Sequence, residues 1–267
     1  MCLIAFAWRG HPRYALVLIA NRDELHARPA APADVDPEAP EVYGGRDLVE
    51  GGSWLQVSTH GRLAAVTNVR TGLNRAKMPR SRGWLVRDFV RGDAGAIDFA
   101  AAQAQAAGEY GPFNLLMWDG NALVFASNHP RADQQAVSPG LHAMSNGAFD
   151  APWPKSGHAT RALATWLASA QSSTNTLNAA ALAPLFDALA DTTVAPDSLL
   201  PDTGVGAALE RALSPPFVSD ERYGTRCSSV VLVGPDNFVF AERRFGPKAR
   251  PAGESFVALP FQRPAQV

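Results

Sequence analysis

The chain begins with short apolar runs separated by residues that favour turns. Four such runs predict strands that pair as two hairpins: residues 2–8, 14–20, 53–58 and 62–67. The first hairpin turns on Arg9-Gly10-His11-Pro12 and the second on Thr59-His60-Gly61. Between them, residues 28–40 carry four prolines among alanines and acidic residues, so we predict a loop there.

The hydrophobic pattern later changes to the period of helices. Apolar spacing and alanine-rich composition predict four helices: residues 81–91, 96–107, 156–170 and 177–190. Apolar runs predict six more strands: residues 113–118, 122–127, 141–145, 228–233, 238–243 and 255–258. Residues 196–223 are dotted with prolines and predict a long loop with one helix at 205–213.

Strands and helices therefore follow each other in blocks and do not alternate one by one. Such segregation indicates mainly antiparallel sheets with the helices grouped outside them. No glycine-rich phosphate loop follows a predicted strand, which argues against a dinucleotide-binding or P-loop protein. A length of 267 residues fits one large domain, and we expect residues 1–267 to form a single domain.

Composition narrows the class of protein further. With a net charge of -1, the chain lacks the basic surface that a nucleic-acid-binding protein uses to neutralise phosphates. No apolar run is long enough to cross a membrane, and residues 1–8 lack the basic start and the small-residue cleavage site of a signal peptide. We therefore expect a cytoplasmic protein. Its two cysteines, Cys2 and Cys227, are then expected to be reduced. Cysteine and histidine pairs at ligand spacing are absent, so we expect no metal site.

Cys2 is the first candidate for chemistry. Aminopeptidases remove an initiator methionine when the next residue is small, and the chain would then begin with the Cys2 thiol and α-amine. An α-amine has a pKa of about 8, so it can act as a base beside the nucleophilic thiol. The alternative is a small buried side chain in a core strand.

The polar tetrad Asn21-Arg22-Asp23-Glu24 directly follows the second apolar run. A simple hairpin would bring the tetrad close to Cys2. Arg22 could then lower the pKa of the thiol by its charge, and Asp23 could orient the α-ammonium group. The alternative is a solvated turn with a surface ion pair.

Three further side chains lie at the ends of predicted strands. Asn68 and Asn146 carry amides that suit an oxyanion hole, or they are asparagines favoured by turns. Arg226 could bind a substrate carboxylate, brace the site or be a charge at a strand edge. Among the histidines, His11 and His60 lie in predicted turns, where one could serve as an axial haem ligand.

The motifs together resemble a known family over nearly the whole chain: Met1-Cys2-Leu3-Ile4, Asn21-Arg22-Asp23-Glu24, Arg28-Pro29, Gly51-Gly52-Ser53-Trp54-Leu55, Thr67-Asn68-Val69-Arg70, Phe113-Asn114-Leu115-Leu116, Ser145-Asn146-Gly147, Pro152-Trp153-Pro154-Lys155 and Tyr223-Gly224-Thr225-Arg226. This ordered set resembles the NRDE family, also called the transport-and-Golgi-organisation 2 family. That family is similar to N-terminal-nucleophile hydrolases of the choloylglycine and penicillin-acylase kind. The resemblance implies an α+β fold, a four-layer αββα sandwich with two mainly antiparallel sheets.

The resemblance also implies roles for individual residues. It suggests Cys2 as the nucleophile, Arg22 and Asp23 as orienting residues, Asn68 and Asn146 as oxyanion donors, and Arg226 as a supporting charge. The adjacent Arg22 and Asp23 are closer together than the Arg-x-x-Asp of those hydrolases, which leaves open which of them fills which role. Substrate contacts are expected from four residues, of which the tryptophans could equally serve in packing: Asn21, Glu24, Trp54 and Trp153.

Two functional classes remain open from the sequence. One is an enzyme in which Cys2 cleaves an amide or thioester of an acyl substrate. The other is a carrier that holds haem or an acyl-CoA without turnover, as the associations of the family with haem trafficking and acyl-CoA or lipid metabolism imply. No cofactor is expected to be required, haem is possible as a ligand, and the expected partner is a small molecule.

Overall fold

A computed structural model describes residues 2–73, 77–173 and 177–262, and of Cys2 its backbone alone. The strands in these ranges are β1 (Cys2–Trp8), β2 (Leu16–Leu25), β3 (Ala30–Asp36), β4 (Ala39–Asp47), β5 (Leu55–Ser58), β6 (Arg62–Asn68), β7 (Phe113–Trp118), β8 (Leu123–Ser127), β9 (Asp133–Ala136), β10 (Gly140–Met144), β11 (Tyr223–Val233), β12 (Asn237–Phe245) and β13 (Pro251–Pro260). The α-helices are α1 (Gly83–Arg91), α2 (Ala96–Gln105), α3 (Pro154–Leu167), α4 (Ala183–Leu189) and α5 (Ala207–Ala212).

Two antiparallel sheets contain these strands. Sheet A has six strands in the order β10-β1-β2-β11-β12-β13. Sheet B has seven strands in the order β3-β4-β5-β6-β7-β8-β9. The first hairpin lies at the centre of sheet A, because β2 pairs with β1 on one side and with β11 on the other.

Alternating side chains of β1 show how the layers stack. Leu3 and Ala5 pack in a cluster with residues of α3 and α4, such as Leu163. Ile4 and Phe6, on the opposite face, pack in the cluster between the two sheets. A third cluster joins the outer face of sheet B to α1 and α2. The layers are therefore helix, sheet, sheet and helix.

This arrangement confirms the predicted αββα sandwich with two antiparallel sheets. Both predicted hairpins are present, and the helices α1 to α3 lie close to their predicted ranges. No helix in the described part of the chain is long and apolar enough to span a membrane.

Two parts of sheet B differ from the predictions. The loop predicted at residues 28–40 is wrong, because the segment contains β3 and the start of β4. Strand β3 is the edge of the sheet and its register shifts at Pro32, where a missing N–H costs no ladder hydrogen bond. Strand β9 was not predicted because its four residues are exposed and three of them are polar, so no apolar run marks it.

Candidate active site

The polar tetrad is part of β2, which ends at Leu25 and not at the predicted residue 20. Cys2 pairs with Arg22 and Leu3 with Asn21. The tetrad therefore lies opposite the start of β1, as expected from a simple hairpin. On its other side, Arg22 pairs with Cys227 of β11. Arg22 therefore lies between the two strands that carry the cysteines of the chain.

Successive residues of the tetrad point to opposite faces of sheet A. Arg22 faces sheet B, where its guanidinium carbon lies 4.2 Å from the centre of the Trp54 ring and its Nη2 is 3.8 Å from Asp47 Oδ2. The Arg22 side chain is only 6% exposed. The guanidinium is thus held between an aromatic ring and a carboxylate, and the backbone that carries it pairs with Cys2.

Asp23 is buried and accepts a hydrogen bond from Thr225 Oγ1 at 2.7 Å. The Tyr223 hydroxyl donates to the Asp23 backbone carbonyl at 3.1 Å. Burial raises the pKa of the Asp23 carboxyl, against the opposing effects of the Lys155 charge and the Thr225 hydrogen bond. The buried environment therefore favours the protonated form of this acid more than water does.

A cleft of about 610 Å³ opens beside this end of β2. Five of the predicted site residues line it: Arg22, Asp23, Glu24, Trp54 and Asn68. None of its described lining residues is a histidine, and no metal-binding group of three or more acidic, cysteine or histidine residues occurs among the described residues. A volume of this size is in the range of small-molecule sites.

The two asparagines predicted as oxyanion donors lie together, although they come from different sheets. Asn68 ends β6, and its backbone carbonyl accepts a hydrogen bond from Asn146 Nδ2 at 2.7 Å. Asn146 is fully buried after β10, and its carbonyl accepts from the Arg70 N–H at 2.8 Å. Asn68 lines the cleft, whereas Asn146 is not among its described lining residues and joins the two sheets through its amide.

Asn21 lies outside the cleft-lining set, and its amide faces the helices. Its Nδ2 donates to the carbonyls of Leu189 at 2.8 Å and Pro216 at 2.9 Å. Its Oδ1 accepts from Ser228 Oγ at 2.6 Å. Since Leu189 is the last residue of α4, Asn21 fixes the end of that helix against sheet A.

Arg226 and Trp153 also lie outside the lining of the cleft. Arg226 is at a register shift of β11, and its Nη1 donates to the carbonyls of Leu25 and Arg28 at 2.8 and 2.9 Å. Burial, followed by the nearby Arg22 charge, lowers the pKa of its guanidinium. Trp153 precedes α3 and packs against Gly147, where a Cβ would be 2.6 Å from the ring. The Arg226 contacts hold Leu25 and Arg28, which line the cleft.

Sequence reasoning assigned no role to a buried ion pair close to the site. Arg70 Nη2 lies 2.6 Å from Glu210 Oε2, and both side chains are under 5% exposed. Thr203 donates its N–H and its hydroxyl to Glu210 Oε1 at 2.8 and 2.6 Å. Arg70 belongs to the motif that contains Asn68, but nothing in the sequence around Glu210 marks it as its partner.

Lys155 is a second buried cation that sequence reasoning left without a role. The residue is 3% exposed, and its Nζ donates to the carbonyl of Leu213 at 3.2 Å, just beyond α5. Its charge also acts on Asp23. Lys155 of α3 therefore places a positive charge near Asp23, between sheet A and the helices.

Comparison with solved structures gives the same fold. The chain aligns with a Caenorhabditis elegans N-acylethanolamine-hydrolyzing acid amidase ortholog at a TM-score of 0.51 and 11% identity, over 86% of this chain and 92% of the other. It aligns with the C2A mutant of a conjugated bile acid hydrolase from Clostridium perfringens at a TM-score of 0.50 and 6% identity, over 97% and 92%. These likenesses show an N-terminal-nucleophile hydrolase fold.

Sequence relatives cover nearly the whole chain. The Transport and Golgi organization protein 2 homolog of Bos taurus is 31% identical over 264 residues, 91% of this chain and 92% of the relative. The human homolog is 31% identical over 261 residues, with 91% and 92% covered. The model of the Transport and Golgi organisation 2 family matches residues 1–247. The chain therefore belongs to the Transport and Golgi organisation 2 family, with the fold of the N-terminal-nucleophile hydrolases.

Proposed function

We propose that this protein hydrolyses an amide or thioester bond of an acyl substrate, with Cys2 as the nucleophile. One observation carries the proposal: the backbone of Cys2 pairs with Arg22, at the edge of a cleft lined by Arg22, Asp23 and Asn68. A charge next to a thiol favours the thiolate, and a cleft of this size admits a small acyl compound.

The proposed reaction begins after removal of Met1. The free α-amine of Cys2 takes the thiol proton, and the sulfur attacks the carbonyl carbon of the substrate. The Asn68 amide donates to the oxygen as it becomes negative. The leaving amine or thiol departs with the proton from the ammonium group, and water then releases the acyl group from the sulfur with the amine again as base.

In this scheme Arg22 and Asp23 have separate tasks. Arg22 lowers the pKa of the thiol through its positive charge, and it is restrained by Trp54 and Asp47. Asp23 orients the α-amine, with its own carboxyl held by Thr225. Because Arg22 and Asp23 are consecutive in β2, their side chains point to opposite faces of the strand. One residue can therefore act on the thiol and the other on the α-amine of the same cysteine.

The names of the structural neighbours support this chemistry at the level of the fold. One is described as an amidase and the other as a conjugated bile acid hydrolase, and the latter structure carries a C2A substitution. This chain also has a cysteine at position 2.

A comparison of the two cysteines tests the proposal. The assay measures hydrolysis of S-acyl-N-acetylcysteamine thioesters and N-acyl-aminomethylcoumarins by wild type, Cys2→Ala and Cys227→Ala. We expect Cys2→Ala to lose at least about a thousandfold in kcat/KM, since removal of a covalent nucleophile costs this much or more. Cys227 is buried in β11 and is the matched control, expected to retain turnover. Equal turnover by wild type and Cys2→Ala would reject the proposal.

The same variants address the carrier alternative. If the protein binds acyl-CoA with equal affinity in wild type and Cys2→Ala and neither hydrolyses any probe, it is a carrier and not a hydrolase. Haem as a ligand stays a prediction, and a haem titration followed by absorbance tests it. His11 stacks on Tyr14 and His60 contacts Gln262, and neither lines the cleft.

A further inference from the structure

A small crevice adjoins the cleft between the two sheets. Its volume is about 10 Å³, which is room for about one water molecule. Ile4, Ala20 and Leu55 line it and belong to the core between the sheets. Arg22, Trp54 and Val66 line both the crevice and the cleft, so they form the partition between the two spaces.

The register of the first hairpin relates this partition to Cys2. Cys2 pairs with Arg22, and Ile4 pairs with Ala20 two residues further into the sandwich. The crevice therefore lies directly inward from the pair that contains Cys2. A chain that entered the sandwich from Cys2 would meet the Trp54 ring first and the apolar crevice behind it.

The Trp54 ring is fixed on both sides. The Arg22 guanidinium covers it at 4.2 Å, and Gly45 of β4 packs against it so closely that a Cβ there would be 2.1 Å from the ring. Real side chains do not tolerate such a distance, so Gly45 leaves the space that the indole fills. The position of the partition is thus set by contacts with both sheets.

We infer that Trp54 sets the length of the acyl chain that the site accepts. The acyl group of the substrate points from Cys2 toward the partition, and the indole stops a long chain before it reaches the core between the sheets. Short acyl groups therefore fit and long ones do not. This inference rests on the proposed hydrolase function where it is tested by turnover, whereas its test by binding does not require hydrolysis.

A graded series of variants tests the inference: Trp54→Phe, Trp54→Leu and Trp54→Ala. Turnover is measured for thioesters of N-acetylcysteamine from acetyl to palmitoyl. We expect the wild type to prefer short chains and the limit to move to longer chains as residue 54 becomes smaller. Each newly buried methylene of the acyl chain should raise kcat/KM about fourfold. The ratio of kcat/KM for long-chain to short-chain thioesters should therefore be at least about tenfold higher in Trp54→Ala than in wild type.

Glycine variants give matched controls if Trp54→Ala fails to fold. Gly45→Ala displaces the Trp54 ring, whereas Gly147→Ala displaces the Trp153 ring in the same way outside the cleft. The length profile should change in Gly45→Ala and stay that of wild type in Gly147→Ala. Circular dichroism identifies which variants are folded.

Equilibrium binding separates failure of this inference from failure of the hydrolase proposal. The same thioesters are titrated into Cys2→Ala protein with and without each substitution at residue 54. A length profile of binding that depends on residue 54 supports the inference even if the wild type turns over no probe. A profile that is the same for all folded variants, or no binding at any length, overturns it.

Discussion

Two buried arginines, Arg70 and Arg22, make different use of their carboxylate partners. Arg70 lies 2.6 Å from Glu210, which is itself held by Thr203, and the pair is closed to solvent. Arg22 Nη2 is 3.8 Å from Asp47 Oδ2, and the same oxygen is 2.7 Å from Arg28 Nε. The Nη1 atom of Arg22 has no hydrogen-bond partner in the described part of the chain. The first pair is short and held on both sides, whereas the second is longer, shares its carboxylate with Arg28 and lies at the wall of the cleft.

The largest expected effect on stability comes from breaking the closed pair. Glu210→Ala leaves the Arg70 charge buried without its carboxylate. We expect the free energy of unfolding to fall by about 3–5 kcal/mol, measured by urea denaturation. Asp47→Ala is the matched truncation at the longer, partly exposed pair and should cost less, about 2 kcal/mol. Equal losses in the two variants would remove the distinction between the pairs.

Asn21 extends the comparison to the face of β2 that packs on the helices. Asn21→Ala removes the donor for Leu189 and Pro216 and the acceptor for Ser228. Buried groups left without partners should lower the free energy of unfolding by about 2 kcal/mol, seen as a lower urea midpoint. A loss of turnover in protein that is still as stable as wild type would instead favour a direct contact of Asn21 with substrate.

Arg22 is expected to matter more for reactivity than for folding. Arg22→Met retains a long side chain on Trp54 but removes the charge beside Cys2. Without that charge the pKa of the thiol should rise, and alkylation by iodoacetamide near neutral pH should slow by about tenfold. The Cys2→Ala variant supplies the background rate. Unchanged alkylation in folded Arg22→Met would mean that the cation does not act on the thiol.

The smallest expected effect is a dependence of stability on pH through Asp23. Burial raises the pKa of its carboxyl in the folded state, so the folded state favours the protonated acid. Its contribution to stability is complete below the pKa of the unfolded chain and is lost as pH rises through the higher folded value. Asp23→Asn should therefore flatten this fall in Tm between acidic and neutral pH. A steeper fall in the variant would contradict the direction.

Much of the fold was predictable because burial leaves a pattern in the chain. Strand β1 is apolar on both faces, as a central strand between a helix layer and a second sheet must be. The strands β3 and β9 lie at the edges of sheet B, where polar residues and prolines are tolerated, so they lack that pattern.

The site was predictable only where local pairing determines it. The tetrad lies next to Cys2 because a single hairpin connects them, and its position follows from the register of that hairpin. The partner of Arg70 is 140 residues away in the sequence, in a short helix that no motif marks. Contacts of this kind depend on how the layers pack, which a single sequence does not show.

Intact-mass spectrometry of the native protein tests the central claim most directly. The protein is measured before and after a short exposure to an acylating thioester, next to Cys2→Ala and Cys227→Ala. The account predicts a mass without Met1, and one acyl adduct that forms in wild type and Cys227→Ala, is absent in Cys2→Ala and disappears with time. A chain that retains Met1 and acquires no adduct at Cys2 would contradict it.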